Sequence, residues 1–382
     1  MVIRTITCHH TYNHGAMLQA FALVSYLRSQ GHDVAVIDYR PQYQPGSKVN
    51  PAHSTGIGFL SLFGLRHLYG WYKKIQAPKR KDYYVLEQAR RNSFELFFNK
   101  YIVLTKEQYT SFKQLRDNPP IADLYIAGSD QIWNTNFQNG RDRAFYLDYG
   151  APKRKISYAA SFATQEVNPR FKRFVRRELA NFDAISVREE SGLQILESLG
   201  YDGKTVMDPV FLLDFPLWDN IIEQDKSLDG EMNEDYILTY DFDSNVAVET
   251  IARRLSKLNK CRIFSVSPAI KSYADKSFVC CSPLKFVSLV KHARCVVSNS
   301  FHGTAFSMIY EKDFFVVKRK DGLNVRMQDL LSHYNLSERL VSSDVDNAIL
   351  IRKIDYKPVI ELLKKDITSS KSFLHYQIDL AK

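Results

Sequence analysis

The chain has 382 residues, 45% apolar and 25% charged, the balance of a globular protein too long for one ordinary core. Its formal net charge is +10, from 52 Lys plus Arg against 42 Asp plus Glu, which suits an anionic partner: a phosphorylated substrate, a lipid headgroup surface or nucleic acid. No apolar run reaches the ~20 residues of a membrane-spanning helix. The opening Met1–Thr7 lacks the apolar stretch of a signal peptide, so a cytoplasmic location is expected. Cys8, Cys261, Cys280, Cys281 and Cys295 form no CxxC pair, which argues against a disulfide framework and a structural zinc site.

Taken along the chain, Val2 to Cys8 reads as an apolar strand and His9 to Gly15 as a polar turn. Leu18, Phe21, Ala22, Val24 and Leu27 then recur at the spacing of an amphipathic helix, closed by Gly31. Val34 to Ile37 is a second strand, so the chain opens as a βαβ unit. Residues 41–82 lack a period and form an excursion, in which aromatic residues from Phe59 to Tyr72 precede a basic cluster ending at Lys81. That order suits peripheral contact with an anionic membrane. Strands resume at Leu124–Ala127, Ile156–Ala160 and Ala184–Val187, with a helix from about Glu189 to Leu199.

A second series begins near residue 216, with strands at Tyr236–Tyr240, Arg262–Val266, Cys295–Ser298 and Phe314–Val317 and helical stretches between them. The expected organisation is a Rossmann-like domain over 1–215, a second over 216–355, and a helix over 356–382 crossing back to the first. Ligands of such sheets bind beyond the carboxyl ends of the strands.

Six polar clusters stand at or near strand ends. They are Tyr12-Asn13-His14-Gly15, Gly128-Ser129-Asp130-Gln131-Ile132-Trp133, Ser157-Tyr158-Ala159-Ala160-Ser161-Phe162, Ser186-Val187-Arg188-Glu189, Asp208-Pro209-Val210-Phe211 and Ser298-Asn299-Ser300-Phe301-His302-Gly303-Thr304. Each is weak alone. In this order and spacing, from Ile3 to about Arg339, they resemble the polysaccharide pyruvyl transferase family.

The resemblance implies an α/β fold of GT-B-like form, two Rossmann-like domains facing across a cleft. It also implies the reaction: phosphoenolpyruvate gives its pyruvyl group to two hydroxyls of a sugar, forming a cyclic ketal and releasing phosphate. Phosphoenolpyruvate is then a co-substrate, and no cofactor is needed. The acceptor is expected in a cell-surface polysaccharide precursor, carried on a polyprenyl diphosphate at the inner face of the plasma membrane.

Such chemistry needs a general acid, a clamp for two anionic groups, and a group that orients hydroxyls. His302 is the expected acid: it follows a buried strand and opens a helix whose free N–H groups, around Gly303 and Thr304, favour phosphate. The resemblance places a histidine of a Ser-x-Arg-Leu-His pattern at the donor. Here Ser300 stands in place of the arginine and Phe301 in place of the leucine. The missing cation must come from elsewhere. Arg188 is the first candidate and Arg326 the second, since a guanidinium grips carboxylate or phosphate in bidentate fashion; Lys318 and Arg319 are weaker ones.

On the acceptor side, Asn13 and Gly15 lie on the first turn, and Asp130 and Trp133 could bond hydroxyls and stack on a sugar face. His9, His10 and His14 lack a matching carboxylate motif, so no metal is expected. A nucleotide-sugar-dependent glycosyltransferase on the same architecture is the alternative enzyme. A basic module binding nucleic acid or anionic lipid is the non-enzymatic one; no nucleic-acid motif supports it, and no nucleic-acid partner is expected.

Overall fold

A computed structural model describes residues 1–43, 77–150, 153–224, 234–319 and 324–382, with the side chains of 77–83 excepted. The aromatic and basic stretch expected at a membrane, Phe59 to Lys81, lies outside this set except for the backbone that begins the helix Ala77–Tyr101.

The first half builds a parallel sheet from β1 (Val2–Ile6), β2 (Asp33–Tyr39), β3 (Leu104–Tyr109), β4 (Leu124–Ala127) and β5 (Arg154–Ser157), in the order β3-β2-β1-β4-β5. The short pair β6 (Ser186–Val187) and β7 (Lys204–Thr205) continues it through single bridges such as Ile156 to Ala184. The second half repeats the plan with β8 (Tyr236–Tyr240), β9 (Arg262–Val266), β10 (Lys276–Phe278), β11 (Cys295–Ser298), β12 (Asp313–Val317) and β13 (Leu340–Val341). Their order is β10-β9-β8-β11-β12-β13, again all parallel. In both sheets the strand order reverses beside the first strand, between β1 and β4 and between β8 and β11. At such a switch point neighbouring connections leave in opposite directions and open a crevice for a ligand.

Local sequence explains the centre of each sheet. β4, β8 and β11 are buried along their whole length, as continuous apolar runs must be when helices cover both faces. The expected strand ends differ little: Ile156–Ala160 is a strand only to Ser157, after which Ala160 makes isolated bridges to Asp130 and Val187.

Helix α1 (His14–Ser29) departs from expectation more deeply. It is buried continuously from His14 to Val24 instead of showing one wet face. The cause is tertiary: α1 packs between its own sheet and the helices Pro283–His292 and Phe301–Ile309 of the second half. An aromatic seam fills that junction, with Phe21 on Trp218 at 5.8 Å, Trp218 on Phe306 at 5.2 Å and His14 on Phe286 at 5.1 Å. Burying one such side chain contributes roughly 1.5–3 kcal/mol, so the seam holds the two halves in register.

The last helix, Tyr356–Asp379, adds a second tie. Its first residue donates from the Tyr356 hydroxyl to the Lys312 carbonyl at 2.5 Å. Near its end Gln377 accepts from Arg154 of β5 at 2.5 Å, and His375 bonds the Tyr26 hydroxyl of α1 at 3.0 Å.

Candidate functional site

Both switch points place polar residues at one junction. After β1, Asn13 takes extended backbone angles and its side chain accepts from the Ala16 N–H at 3.1 Å, capping α1. The cap starts the helix at once, which sets Gly15 against the second half. A Cβ on Gly15 would lie 1.9 Å from His302 Nδ1, so only glycine leaves room for the imidazole.

After β11, Ser300 caps the helix Phe301–Ile309, its hydroxyl accepting from the Gly303 N–H at 3.4 Å. Thr304 donates its hydroxyl back to the Ser300 carbonyl at 3.1 Å. These two hydroxyls are therefore engaged in building the helix start. Phe301 and His302 stand in its first turn, and His302 is only 5% exposed.

After β4 the chain turns through Gly128, at φ 123°, where a Cβ would meet the Tyr158 carbonyl oxygen at 2.2 Å. The turn presents Asp130, itself left-handed at φ 67°. After β6 comes Arg188, which the structure buries to 7% exposure instead of leaving it on the surface with its acidic neighbours.

These elements converge on Phe301. The Arg188 guanidinium lies over its ring at 4.3 Å and that of Arg326 at 5.9 Å, so the two cations flank the position where leucine was replaced. Arg188 Nη1 bonds Asp208 Oδ2 at 2.5 Å. Asp130 Oδ1 stands 3.4 Å from Arg188 and 3.6 Å from Arg326. Asp130, expected on the acceptor side, thus joins the arginines.

Asp208 was visible in the sequence only as part of a cluster and was given no role. It bridges the site: its Oδ2 also lies 3.5 Å from His302 Nε2. Burial alone would raise its carboxyl, but His302 and Arg188 together hold it well below the usual carboxylate range. Glu189 is a second residue without an assigned role. Burial raises its carboxyl despite Arg188 beside it, and its Oε1 accepts from Ser161 at 2.7 Å and from the Ala163 N–H at 3.1 Å.

The site is under-satisfied. His302 Nε2, Arg188 Nε, Arg326 Nε and Glu189 Oε2 are buried without a well-formed hydrogen bond among the described residues, though His302 Nε2 stands 3.5 Å from Asp208 Oδ2 and Arg188 Nε 3.8 Å from Glu189 Oε2. Burial, and then the like charge of Arg188, lowers the Arg326 guanidinium to about 10. A cavity of about 150 Å³ lies beside the cluster, with Arg188, Asp208, Phe301 and Arg326 on its wall. At the mouth between the halves, a wider space of about 610 Å³ is bounded by Thr164 and Asn168 on one side and Lys318 and Asn324 on the other.

One expected site residue is placed elsewhere. Trp133 is 0% exposed, its indole N–H donates to the Phe145 carbonyl at 3.0 Å, and its ring stacks on Tyr146 at 5.7 Å. Neither its face nor its N–H is left for a sugar, and the residue is core. The Arg319 guanidinium lies over the Phe242 ring at 5.2 Å. Among the described residues no three His, Cys, Asp or Glu side chains group as metal ligands.

Two doubly wound sheets with their switch points at one junction define an α/β fold of GT-B-like form. The family model for polysaccharide pyruvyl transferase matches residues 13–321, a span that holds every site residue named above except Asn324 and Arg326. The chain belongs to the polysaccharide pyruvyl transferase family. No curated protein matches the sequence. Among solved structures it is similar to UDP-N-acetylglucosamine 2-epimerase from Rickettsia bellii, at 10% identity over 99% of this chain and 96% of that one, with a TM-score of 0.43. It is also similar to ADP-heptose LPS heptosyltransferase II of E. coli, at 10% identity over 97% and 100% of the two chains, with a TM-score of 0.35. Among the described residues no helix is long and apolar enough to cross a membrane.

Proposed function

We propose that this transferase moves the pyruvyl group of phosphoenolpyruvate onto two hydroxyls of one sugar, as a cyclic ketal. The observation that carries the reading is the buried cluster of Arg188, Arg326 and His302, in which Arg326 Nε has no partner among the described residues and Arg188 Nε and His302 Nε2 have only long contacts to Glu189 and Asp208. Each buried donor left unsatisfied costs roughly 1–3 kcal/mol, so the site is built for a ligand that supplies acceptors. A small dianionic ligand with carboxylate and phosphate oxygens does so, and the two guanidiniums match both groups.

In this reading His302 gives a proton to carbon 3 of the donor, leaving carbon 2 oxocarbenium-like. One sugar hydroxyl adds at carbon 2 and its proton returns to His302. The second hydroxyl forms the second C–O bond, the bond to phosphate breaks, and that hydroxyl's proton leaves with the phosphate. Asp208 stabilises the imidazolium and Arg188 from one carboxylate. Arg188 and Arg326 take the anionic clamp that the arginine missing at Ser300 would have supplied. Asp130, tied to both, orients a hydroxyl.

The acceptor belongs to a cell-surface polysaccharide precursor, carried on a polyprenyl diphosphate. The net charge of +10 supports work from the cytoplasm at an anionic membrane. The test mixes the protein with phosphoenolpyruvate and a panel of lipid-linked and nucleotide-linked sugars, and reads product mass. A gain of one pyruvyl ketal, lost in His302→Ala, is expected. Stabilisation by nucleotide sugars and none by phosphoenolpyruvate would replace this reading with the glycosyltransferase.

A further inference from the structure

A second cavity, of about 320 Å³, lies beyond the carboxyl ends of β1 and β2. That is within the roughly 300–1,000 Å³ of small-molecule pockets. Its working wall consists of His10, Tyr12, Tyr39, Arg40, Tyr43 and Arg91.

Carboxylates hold most of these side chains in place. Tyr39 and Tyr43 both donate to Asp142 Oδ2, each at 2.6 Å. Tyr12 donates to Glu95 Oε1 at 3.0 Å, and His10 Nε2 stands 3.4 Å from the same oxygen. Arg40 donates to Asp38 at 2.6 Å, and Arg91 to Glu87 at 3.1 Å while lying over the Tyr12 ring at 5.2 Å. Side chains locked this way form a prearranged surface.

Charge decides what fits it. Both guanidiniums already face a carboxylate, and burial, then Arg40, lowers the His10 imidazole toward its neutral form. Among the described residues the wall has no surplus cation for a phosphate or carboxylate, unlike the Arg188–Arg326 cluster. It offers the half-buried rings of Tyr12 and Tyr43 edged by planar polar groups, which suit the apolar faces and hydroxyl rim of a neutral ring.

Position ties this cavity to the first site. Cys8 is on its wall, and the thiol is pushed up by burial and by both Asp130 and Asp142. Thr7, also on the wall, donates its hydroxyl to the Ser129 carbonyl at 2.9 Å, next to the Asp130 that pairs with Arg188 and Arg326.

We propose that this cavity is a carbohydrate subsite, holding one neutral sugar ring against Tyr12 and Tyr43 as the acceptor. The word acceptor rests on the pyruvyl-transfer reading; the binding of a sugar does not.

The experiment uses methyl galactoside, methyl mannoside and N-acetylglucosamine as probes, with inorganic phosphate as the anionic control. Binding to the full chain is read by saturation-transfer NMR and titration, for wild type, Tyr43→Ala and Arg91→Ala, with Tyr43→Phe and Arg91→Lys as milder variants should the first pair fold poorly. Binding of phosphoenolpyruvate is measured on the same samples. We expect at least one glycoside to bind wild type and to bind about tenfold more weakly in the variants. The affinity for phosphoenolpyruvate should not change. Absence of glycoside binding, equal binding by the variants, or phosphate binding that the variants abolish would each overturn the assignment. Failure of wild type to bind phosphoenolpyruvate sinks the pyruvyl reading instead, and the glycoside arm is then judged alone.

Discussion

Gly15 and His302, 287 positions apart in the chain, meet so closely that any side chain on the first would occupy the place of the second: the nearest imidazole atom lies 1.9 Å from where a Cβ would stand. Gly15 belongs to the capped start of α1 and His302 to the first turn of the helix after β11. The contact therefore fixes the imidazole by the packing of one half on the other.

Gly15→Ala tests that contact. The imidazole must move by an ångström or more, and a displacement of that size at a reacting group costs about a hundredfold in rate. We expect kcat to fall by that order while phosphoenolpyruvate still binds. A variant with unchanged kcat would show that the imidazole position does not matter to turnover.

Asp208→Asn removes the anion that faces Arg188 and His302. Leaving buried cations without their partner costs about 3–5 kcal/mol. Because the carboxyl is held below its ordinary value, its contribution is present above the unfolded value and is lost only as pH falls through the lower folded one. Urea midpoints of wild type and variant should therefore remain apart at pH 4 as well as at pH 7. Convergence of the curves by pH 4 would mean that the folded carboxyl of Asp208 is raised rather than held below its ordinary value.

Arg326→Met separates binding from stability. Arg326 is buried, repelled by Arg188, and its Nε has no partner among the described residues. Replacing it with an apolar side chain of similar length should leave the free protein as stable or more so, the usual trade at a binding site. The thermal shift given by phosphoenolpyruvate should shrink, with affinity down about tenfold or more. A less stable variant with an unchanged shift would make Arg326 a structural residue.

His14 sets an acid limit. Burial between the halves lowers its imidazole from 6.5 to about 3, so the fold keeps it neutral. The ring bonds the Tyr240 hydroxyl and the Cys281 carbonyl, each at 3.0 Å. Stability from this group is complete above pH 6.5 and falls by about 1.4 kcal/mol per unit below it, down to about pH 3. Unfolding free energies of His14→Gln should decline less steeply than wild type between pH 6.5 and 5. Parallel slopes would remove His14 from the acid response.

The sequence by itself determined the strands at the middle of each sheet and the polar clusters that follow them. Tyr236–Tyr240, Arg262–Val266 and Cys295–Ser298 are readable because buried parallel strands are unbroken or nearly unbroken apolar runs, and the residues after them must turn in a limited space. It also brought forward Arg188 and Arg326 as cations to stand in for the arginine absent at Ser300. Edge strands escaped notice: β3 reads Leu-Thr-Lys-Glu-Gln-Tyr and is mostly exposed or half-buried, so it carries no apolar period.

Only the tertiary structure decided which residues of these clusters meet. Trp133 and Asp130 are three positions apart, yet one packs into the core and the other pairs with two arginines, because the left-handed turn at Asp130 separates their directions. Asp208 acquires its role only when β6 brings Arg188, and the second half brings His302, to the same carboxylate. α1 carries the spacing of an amphipathic helix but is dry on every side from His14 to Val24. Local periodicity reports one buried face, and the second half supplies the other.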